Sequence, residues 1–301
     1  MCGIFGYVGN QNKAANIVFE GLKLLEYRGY DSWGVAVKKD RKLEIDKHVG
    51  KIGDAKVNLP QSSLGIGHTR WATHGGVTVA NAHPHTDCTK SIAVVHNGIV
   101  ENFQDLKDSL IEKGHKFISE TDTEVIPHLV EENLKHEGFS SSVRDAFNKL
   151  KGLNAVVVAN AVSKEIVAAK TGSPLIVGIG NQELFVASDA SAIVKHTKKV
   201  IFLEDNQMVI LGDGLKLIKL LDGKEIEPKI HTLDWEFEDT QKGEFKHFLL
   251  KEIYEQPRVI ENIVLNYAVE TKNFANLIEN LKKNLYDYII CKTGPDGDSS
   301  L

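Results

Sequence analysis

Cys2 directly follows the initiator methionine. Removal of Met1, which is easy before a small side chain, leaves a thiol nucleophile and a free α-amine on one residue. That amine has an ordinary pKa of about 7.7–8.0 and can act as a base for its own thiol. The apolar residues Ile4, Phe5, Tyr7 and Val8 then seat the terminus in a sheet. A small buried cysteine on an N-terminal strand is the competing reading. A thiol that attacks an acyl group also needs oxyanion donors and groups that hold the substrate. Asn97-Gly98 supplies a side-chain amide and an unhindered backbone N–H on adjacent residues. The same pair is also the signal of a plain hairpin turn. Arg70 has a guanidinium fork that matches a carboxylate, and the alternative is a surface arginine. Asp122 lies in Thr121-Asp122-Thr123-Glu124, where a helix start favours an acid in any case. One arginine and one acid suit a substrate that carries both an α-carboxylate and an α-ammonium.

Other chemistries find less support. His68, His74, His83 and His85 fall close together, but no HExxH or Cys/His pattern accompanies them. Hydrogen-bonding roles in a loop are expected for them, and no metal. No glycine-rich phosphate motif is present, so no nucleotide cofactor is expected. The net charge of -5 gives no electrostatic case for nucleic acid. The longest apolar runs are strand-length, so no membrane span is expected. Three separated cysteines, Cys2, Cys88 and Cys291, form no disulfide framework, which fits a reducing cytoplasm.

The elements that must position these residues follow from periodicity. Residues 13–26 place Ala14, Ile17, Val18, Leu22 and Leu25 on one helical face. Strands are expected at 35–37, 43–45, 65–70 and 92–96, with a loop over 50–63 and a long polar loop over 71–90. Helices are expected over 102–113, 124–136 and 141–150, with Thr121 and Glu124 as a capping box before the second. Short strands follow at 155–161, 165–169, 175–179, 184–187, 200–203 and 207–211, with a short helix near 190–196. Many short strands with a helical middle predict an α+β domain of antiparallel sheets. Residues 1–227 read as one domain and 228–246, with Pro228, as a linker. A second helical segment is expected over 247–301, with helices at 246–269 and 273–285 and a strand at 288–291.

With these residues in view, the chain resembles the class II glutamine amidotransferases, which are N-terminal-nucleophile hydrolases. The shared pieces are MCGIFGYVG at 1–9, LEYRGYDS at 25–32, HTRWATHG at 68–75, NAHPH at 81–85, HNGIVEN at 96–102 and TDTE at 121–124. KTGSPLIVGIG at 170–180, ASDASAI at 187–193, VIFLEDNQ at 200–207 and KGEFKHFLLKEIYEQP at 242–257 narrow this to the glutamine–fructose-6-phosphate aminotransferase family. The resemblance implies a four-layer α/β/β/α sandwich of two antiparallel sheets, followed by the truncated start of a sugar-isomerase domain. It implies that Cys2 attacks the side-chain amide of L-glutamine to give a thioester, glutamate and ammonia. It makes Asn97 and Gly98 the oxyanion hole, Arg70 the α-carboxylate ligand and Asp122 the α-amine ligand. Trp71, Thr73 and His74 then belong to a loop that closes over glutamine, and Arg28 supports the site. No cofactor is implied. Fructose 6-phosphate enters only through the missing isomerase half, and a homodimer is the expected assembly.

Three departures qualify that picture. Trp33 follows YRGYDS where the family has a small residue, and it either crowds the site or repacks. Gly76-Val77 replaces the usual Glu-Pro, which predicts a looser hinge after THG. Residues 288–301 only loosely follow the isomerase pattern, so this chain alone is not expected to make glucosamine 6-phosphate. An inactive glutamine-binding or regulatory fragment, or another class II amidotransferase, stays open as the alternative.

Overall fold

The computed structural model describes residues 2–234, 243, 245 and 248–270. In chain order the elements begin with β1 (Gly3–Gly9), α1 (Ala14–Leu24), β2 (Ser32–Lys39), β3 (Lys42–Val49) and β4 (Leu64–Arg70). There follow β5 (His85–Thr86), β6 (Ile92–Gly98), α2 (Phe103–Glu112), α3 (Val125–Leu134) and α4 (Phe139–Phe147). The remaining strands are β7 (Asn154–Asn160), β8 (Ile166–Lys170), β9 (Ile176–Ile179), β10 (Glu183–Ala187), β11 (Lys199–Phe202) and β12 (Gln207–Leu211). They end with β13 (Leu215–Lys219), β14 (Glu225–Ile226) and β15 (His231–Thr232), after which comes α5 (Phe248–Glu270).

Two antiparallel sheets form. One runs β15-β11-β9-β10-β1-β4-β2-β3 and the other β14-β13-β12-β8-β7-β6-β5. Alternation of side chains along each strand sends neighbours into different layers. Ile4, Ile66 and Val186 of the first sheet meet Val95, Val157 and Val209 of the second in a core between the sheets. Phe5, Val35 and Phe185 point the other way, onto Val18 and Leu22 of α1. Val94, Val156 and Val158 of the second sheet pack outward onto Val130 and Val143 of α3 and α4. The central strands are therefore covered on both faces, which explains why their sequences read as continuous apolar runs instead of alternating ones. The result is the expected four-layer α+β sandwich.

Several details differ from the sequence expectation. The chain divides into two compact units, Met1–Asp239 and Thr240–Leu301, so the first extends past the boundary expected at 227. Residues expected as linker supply β15, whose Thr232 pairs with Lys199 of β11 and lengthens the first sheet. Strand β13 was not anticipated, because its Lys216 and Lys219 interrupt the apolar pattern. The capping box does not form. Glu124 instead accepts from the backbone N–H groups of Ile118 at 2.8 Å and Ser119 at 2.7 Å, while Thr121 Oγ1 turns to His85 Nε2 at 3.0 Å. Helix α5 spans the expected helical segment with Pro257 in its interior, and it carries exposed apolar residues at Ile253, Tyr254, Ile260 and Ile263. The expected helix at 273–285 and strand at 288–291 lie outside the described residues. Among the described residues no helix is long and apolar enough to cross a membrane.

Candidate active site

Pairing register brings the nucleophile to its neighbours. Gly3 of β1 lies opposite Thr69 of β4, so Cys2, one residue before the strand, meets the chain where it leaves β4 through Arg70 and Trp71. The backbone N–H of Trp71 donates to Cys2 Sγ at 3.2 Å. Burial pushes the thiol pKa up; that N–H and the charges of Arg70 and Arg28 pull it down without overcoming burial. The thiol is therefore protonated at neutral pH and needs a base to react.

Strand β6 delivers the second group. Asn97 Nδ2 donates to the carbonyl of Cys2 at 2.9 Å, and Arg28 Nε donates to the same oxygen at 3.1 Å. The amide orientation is set from behind, because His68 Nε2 lies 3.0 Å from Asn97 Oδ1 and 2.9 Å from His96 O. With its oxygen held by the ring N–H, Asn97 presents its NH₂ group towards Cys2 and keeps a second N–H for a ligand. Gly98 adopts a φ of 135°, and a Cβ there would lie 2.3 Å from the Leu153 carbonyl oxygen, so only glycine continues the strand end at this point. Asn97-Gly98 thus ends a buried strand and is no two-residue hairpin.

Arg70 is buried, and its fork is occupied by the loop that follows. Nη1 donates to Gly76 O at 3.1 Å, and Nη2 donates to Gly75 O at 3.2 Å and to His74 O. Asn81 Nδ2 donates to Gly76 O at 3.0 Å and to Glu120 Oε2 at 3.0 Å, and Gly76 N donates to that carboxylate at 3.3 Å. The looser hinge expected from Gly75-Gly76 is not what forms. Gly75 uses its freedom to adopt a φ of 74°, and the carbonyls this exposes are tied down by Arg70 and Asn81. Trp33 does not crowd the site either. It lies in the α1 layer, tilted on Phe19 at 5.2 Å and stacked on His48 at 4.4 Å.

Asp122 opens a 3₁₀ turn before α3 and accepts from Val100 N at 2.7 Å through Oδ2. Arg28 also pairs with Asp189 at 3.4 Å. Trp71 is half exposed against the edge of Tyr30, and His74 contacts Phe103.

All nine residues singled out in the sequence, Cys2, Arg28, Arg70, Trp71, Thr73, His74, Asn97, Gly98 and Asp122, line one cavity of about 430 Å³. That volume lies at the small end of ligand pockets and suits a free amino acid. Glu101, Ser173 and Pro174 line it too and went unnoticed, although the KTGSP stretch at 170–174 was a usable signal. The histidines serve the hydrogen-bonding roles expected of them, though not all of them in a loop. His68 and His96 lie on strands, and His68 stacks on His83 with ring centroids 4.1 Å apart. Burial holds His68, His83, His85 and His96 neutral, with His68 lowered to about 3. Thr123 Oγ1 bridges His83 and His96 at 3.0 and 2.9 Å. This neutral network lies beneath Asn97, which His68 holds, while Asp122 is held by Val100 N.

Comparison with known proteins points in one direction. Residues 68–195 match the glutamine amidotransferase domain family. A glutamine–fructose-6-phosphate aminotransferase of Pyrococcus horikoshii is 46% identical over 285 residues, covering 92% of this chain and 48% of that relative. The enzyme of that name from Thermus thermophilus is 48% identical over 267 residues, covering 87% of this chain and 44% of its own length. The chain thus spans about half the length of the curated relatives it matches. Among solved structures, the glutamine phosphoribosylpyrophosphate amidotransferase from B. subtilis superposes with a TM-score of 0.64 at 27% identity, over 73% of this chain and 50% of that one. The N-terminal cysteine strand, the sandwich and these matches point the same way: the chain is similar to the glutamine amidotransferase domain and, over most of its own length, to about half of the glutamine–fructose-6-phosphate aminotransferases.

Proposed function

We propose that this chain hydrolyses the side-chain amide of L-glutamine through a thioester on Cys2. The observation that carries the reading is the convergence of a thiol, an amide donor, an arginine and a buried carboxylate on one cavity of amino-acid size. Once Met1 is removed, the α-amine of Cys2 takes the thiol proton and Sγ attacks the glutamine side-chain carbonyl. The oxyanion is held by Asn97 Nδ2 and the Gly98 N–H. The amine then returns the proton to the departing ammonia, and a water molecule hydrolyses the thioester to glutamate. Arg70 binds the substrate carboxylate and Asp122 its ammonium, while Trp71, Thr73 and His74 cover the bound substrate and Arg28 steadies the Cys2 carbonyl.

Equal amounts of ammonia and glutamate from glutamine, measured on protein whose intact mass shows loss of Met1, are the expected result. No turnover by such protein rejects the proposal. Asn97→Ala is expected to lower kcat about 10²–10³-fold, since one oxyanion donor is removed, with little change in KM. A loss confined to KM would reject that role. Asp122→Asn keeps an oxygen for the Val100 N–H but loses the charge, and raises the KM for glutamine roughly 10–100-fold. An unchanged KM would remove Asp122 from substrate binding.

The fate of the ammonia belongs to the same proposal. We assign residues 247–301 to the start of a sugar-isomerase domain, and the compact unit Met1–Asp239 to the glutaminase domain. The acceptor is then fructose 6-phosphate. A homodimer and a cytoplasmic setting complete the reading, the latter supported by the free thiols of Cys2 and Cys88.

A further inference from the structure

A second cluster lies apart from the glutamine cavity. Cys88 sits in the turn between β5 and β6, His115 in the loop between α2 and α3, and His128 and Glu131 one turn apart on α3. One ligand atom from each of the four lies within 4.8 Å of all the others. Cys88 Sγ is 3.6 Å from His115 Nδ1 and 3.6 Å from His128 Nδ1. Glu131 Oε2 is 2.9 Å from His115 Nδ1 and 3.3 Å from His128 Nδ1. A tetrahedral zinc ion about 2.3 Å from sulfur and 2.0–2.1 Å from nitrogen holds its sulfur and nitrogen ligands roughly 3.6 Å apart. Its nitrogen and oxygen ligands come to roughly 3.3–3.4 Å apart. The two sulfur–nitrogen and two nitrogen–oxygen pairs stand at 2.9–3.6 Å, close to that spacing, and all four donors lie within 4.8 Å of one another.

The surroundings point the same way. Both histidines turn Nδ1 to the centre of the cluster and Nε2 outward to a carboxylate. His115 Nε2 lies 2.7 Å from Glu132 Oε2, and His128 Nε2 lies 3.8 Å from Glu124 Oε1. The hydrogen-bonded carboxylate behind His115 fixes its tautomer and raises its basicity, while Glu124 lies near His128 without a hydrogen bond to it. His128 is fully buried, and its Nε2 has no hydrogen-bond partner. Lys116 N donates to Cys88 Sγ at 3.5 Å. Cys88 is exposed, which gives an ion a way in.

We propose that Cys88, His115, His128 and Glu131 bind one structural zinc ion. Binding displaces the Cys88 thiol proton to solvent and forms a thiolate–zinc bond. The ion ties the β5–β6 turn and the α2–α3 loop to α3. Sulfur, two imidazoles and one carboxylate in a tetrahedral set select zinc over magnesium or calcium, which prefer six or more oxygens. Four protein ligands leave no open position, so the role is structural. Sequence reading missed the site because its ligands come from three separate segments, with only the His-x-x-Glu pair on one helix as a local signal.

The test uses the full chain reconstituted with zinc, then dialysed and assayed for metal. About one zinc per chain is expected for the wild type, and less than about a tenth for Cys88→Ser and for His128→Gln. Glu132→Gln, which leaves all four ligands in place, is expected to weaken zinc binding roughly 10–100-fold. Cobalt loaded in place of zinc should give a thiolate-to-metal charge-transfer band in the wild type that Cys88→Ser lacks. Circular dichroism confirms that the exposed Cys88→Ser variant folds. Wild-type protein without stoichiometric zinc, or a folded Cys88→Ser variant that retains it, overturns the proposal. The outcome is independent of whether glutamine is hydrolysed.

Discussion

Replacing Cys2 with alanine is expected to reduce ammonia release from glutamine by a factor on the order of 10⁴ or more, to the level of the uncatalysed reaction with bound substrate. Alanine is still small enough for Met1 removal, so the variant carries the same free amine and the same pocket. Only the sulfur is lost. Cys2→Ser makes a finer point. The serine hydroxyl is a far weaker acid than a thiol whose pKa burial has already raised, so the nearby amine gains much less by taking its proton. Serine should therefore also be severely impaired, although its oxygen occupies nearly the same place. Glutamine binding, followed by calorimetry in the alanine variant, should persist, because Arg70 and Asp122 are untouched. Turnover by Cys2→Ala within tenfold of the wild type would mean that the nucleophile lies elsewhere.

Acid should unfold this protein through its buried histidines. His68, His83, His85 and His96 are neutral in the fold because burial disfavours the imidazolium, with His68 lowered to about 3. In the unfolded chain each titrates near 6.5. Unfolding therefore takes up protons below that value. Stability from these groups is complete above about pH 6.5 and is lost progressively as pH falls towards the folded values. The three held furthest down, His68, His83 and His85, each cost roughly 2 kcal/mol by pH 5, so together they cost about 6 kcal/mol as an upper figure, with His96 adding in the same direction. That is a large part of the 5–15 kcal/mol typical of folded proteins. Urea unfolding at pH 7 and pH 5 measures the difference, a window above the range where ordinary carboxylates titrate. The same titration in Cys88→Ser separates this effect from acid release of zinc. An unchanged unfolding free energy between the two pH values would show that these rings can be charged within the fold.

Much of the architecture was legible because the signals were local. The apolar run around Ile4 and Phe5, the α1 face and the strand runs from 92 to 211 reappear within a few residues of their expected bounds. The candidate site was legible for a different reason. Cys2, Arg70, Asn97 and Asp122 each sit at the end of an element, where the motif and the element boundary coincide. Long-range decisions left no local trace. Nothing near Trp33 says that its strand turns that side chain towards α1 and away from the cavity. Nothing near Glu124 says that it will prefer Ser119 N to a reciprocal cap with Thr121. The zinc ligands are the extreme case, since their grouping exists only once three segments have packed.

The Arg70 fork has a thermodynamic consequence. It grips three backbone carbonyls, from His74, Gly75 and Gly76, whose partial negative charges mimic the anion it is proposed to receive. The pocket thus contains its own tethered competitor, present at high effective concentration. In the proposed role, an incoming carboxylate competes with those oxygens for the fork, so its affinity reports the difference between two sets of contacts. A substrate that lacks the carboxylate has no means to drive the exchange. Discrimination between a free amino acid and other amides then arises as much from what the loop refuses to release as from what the site attracts.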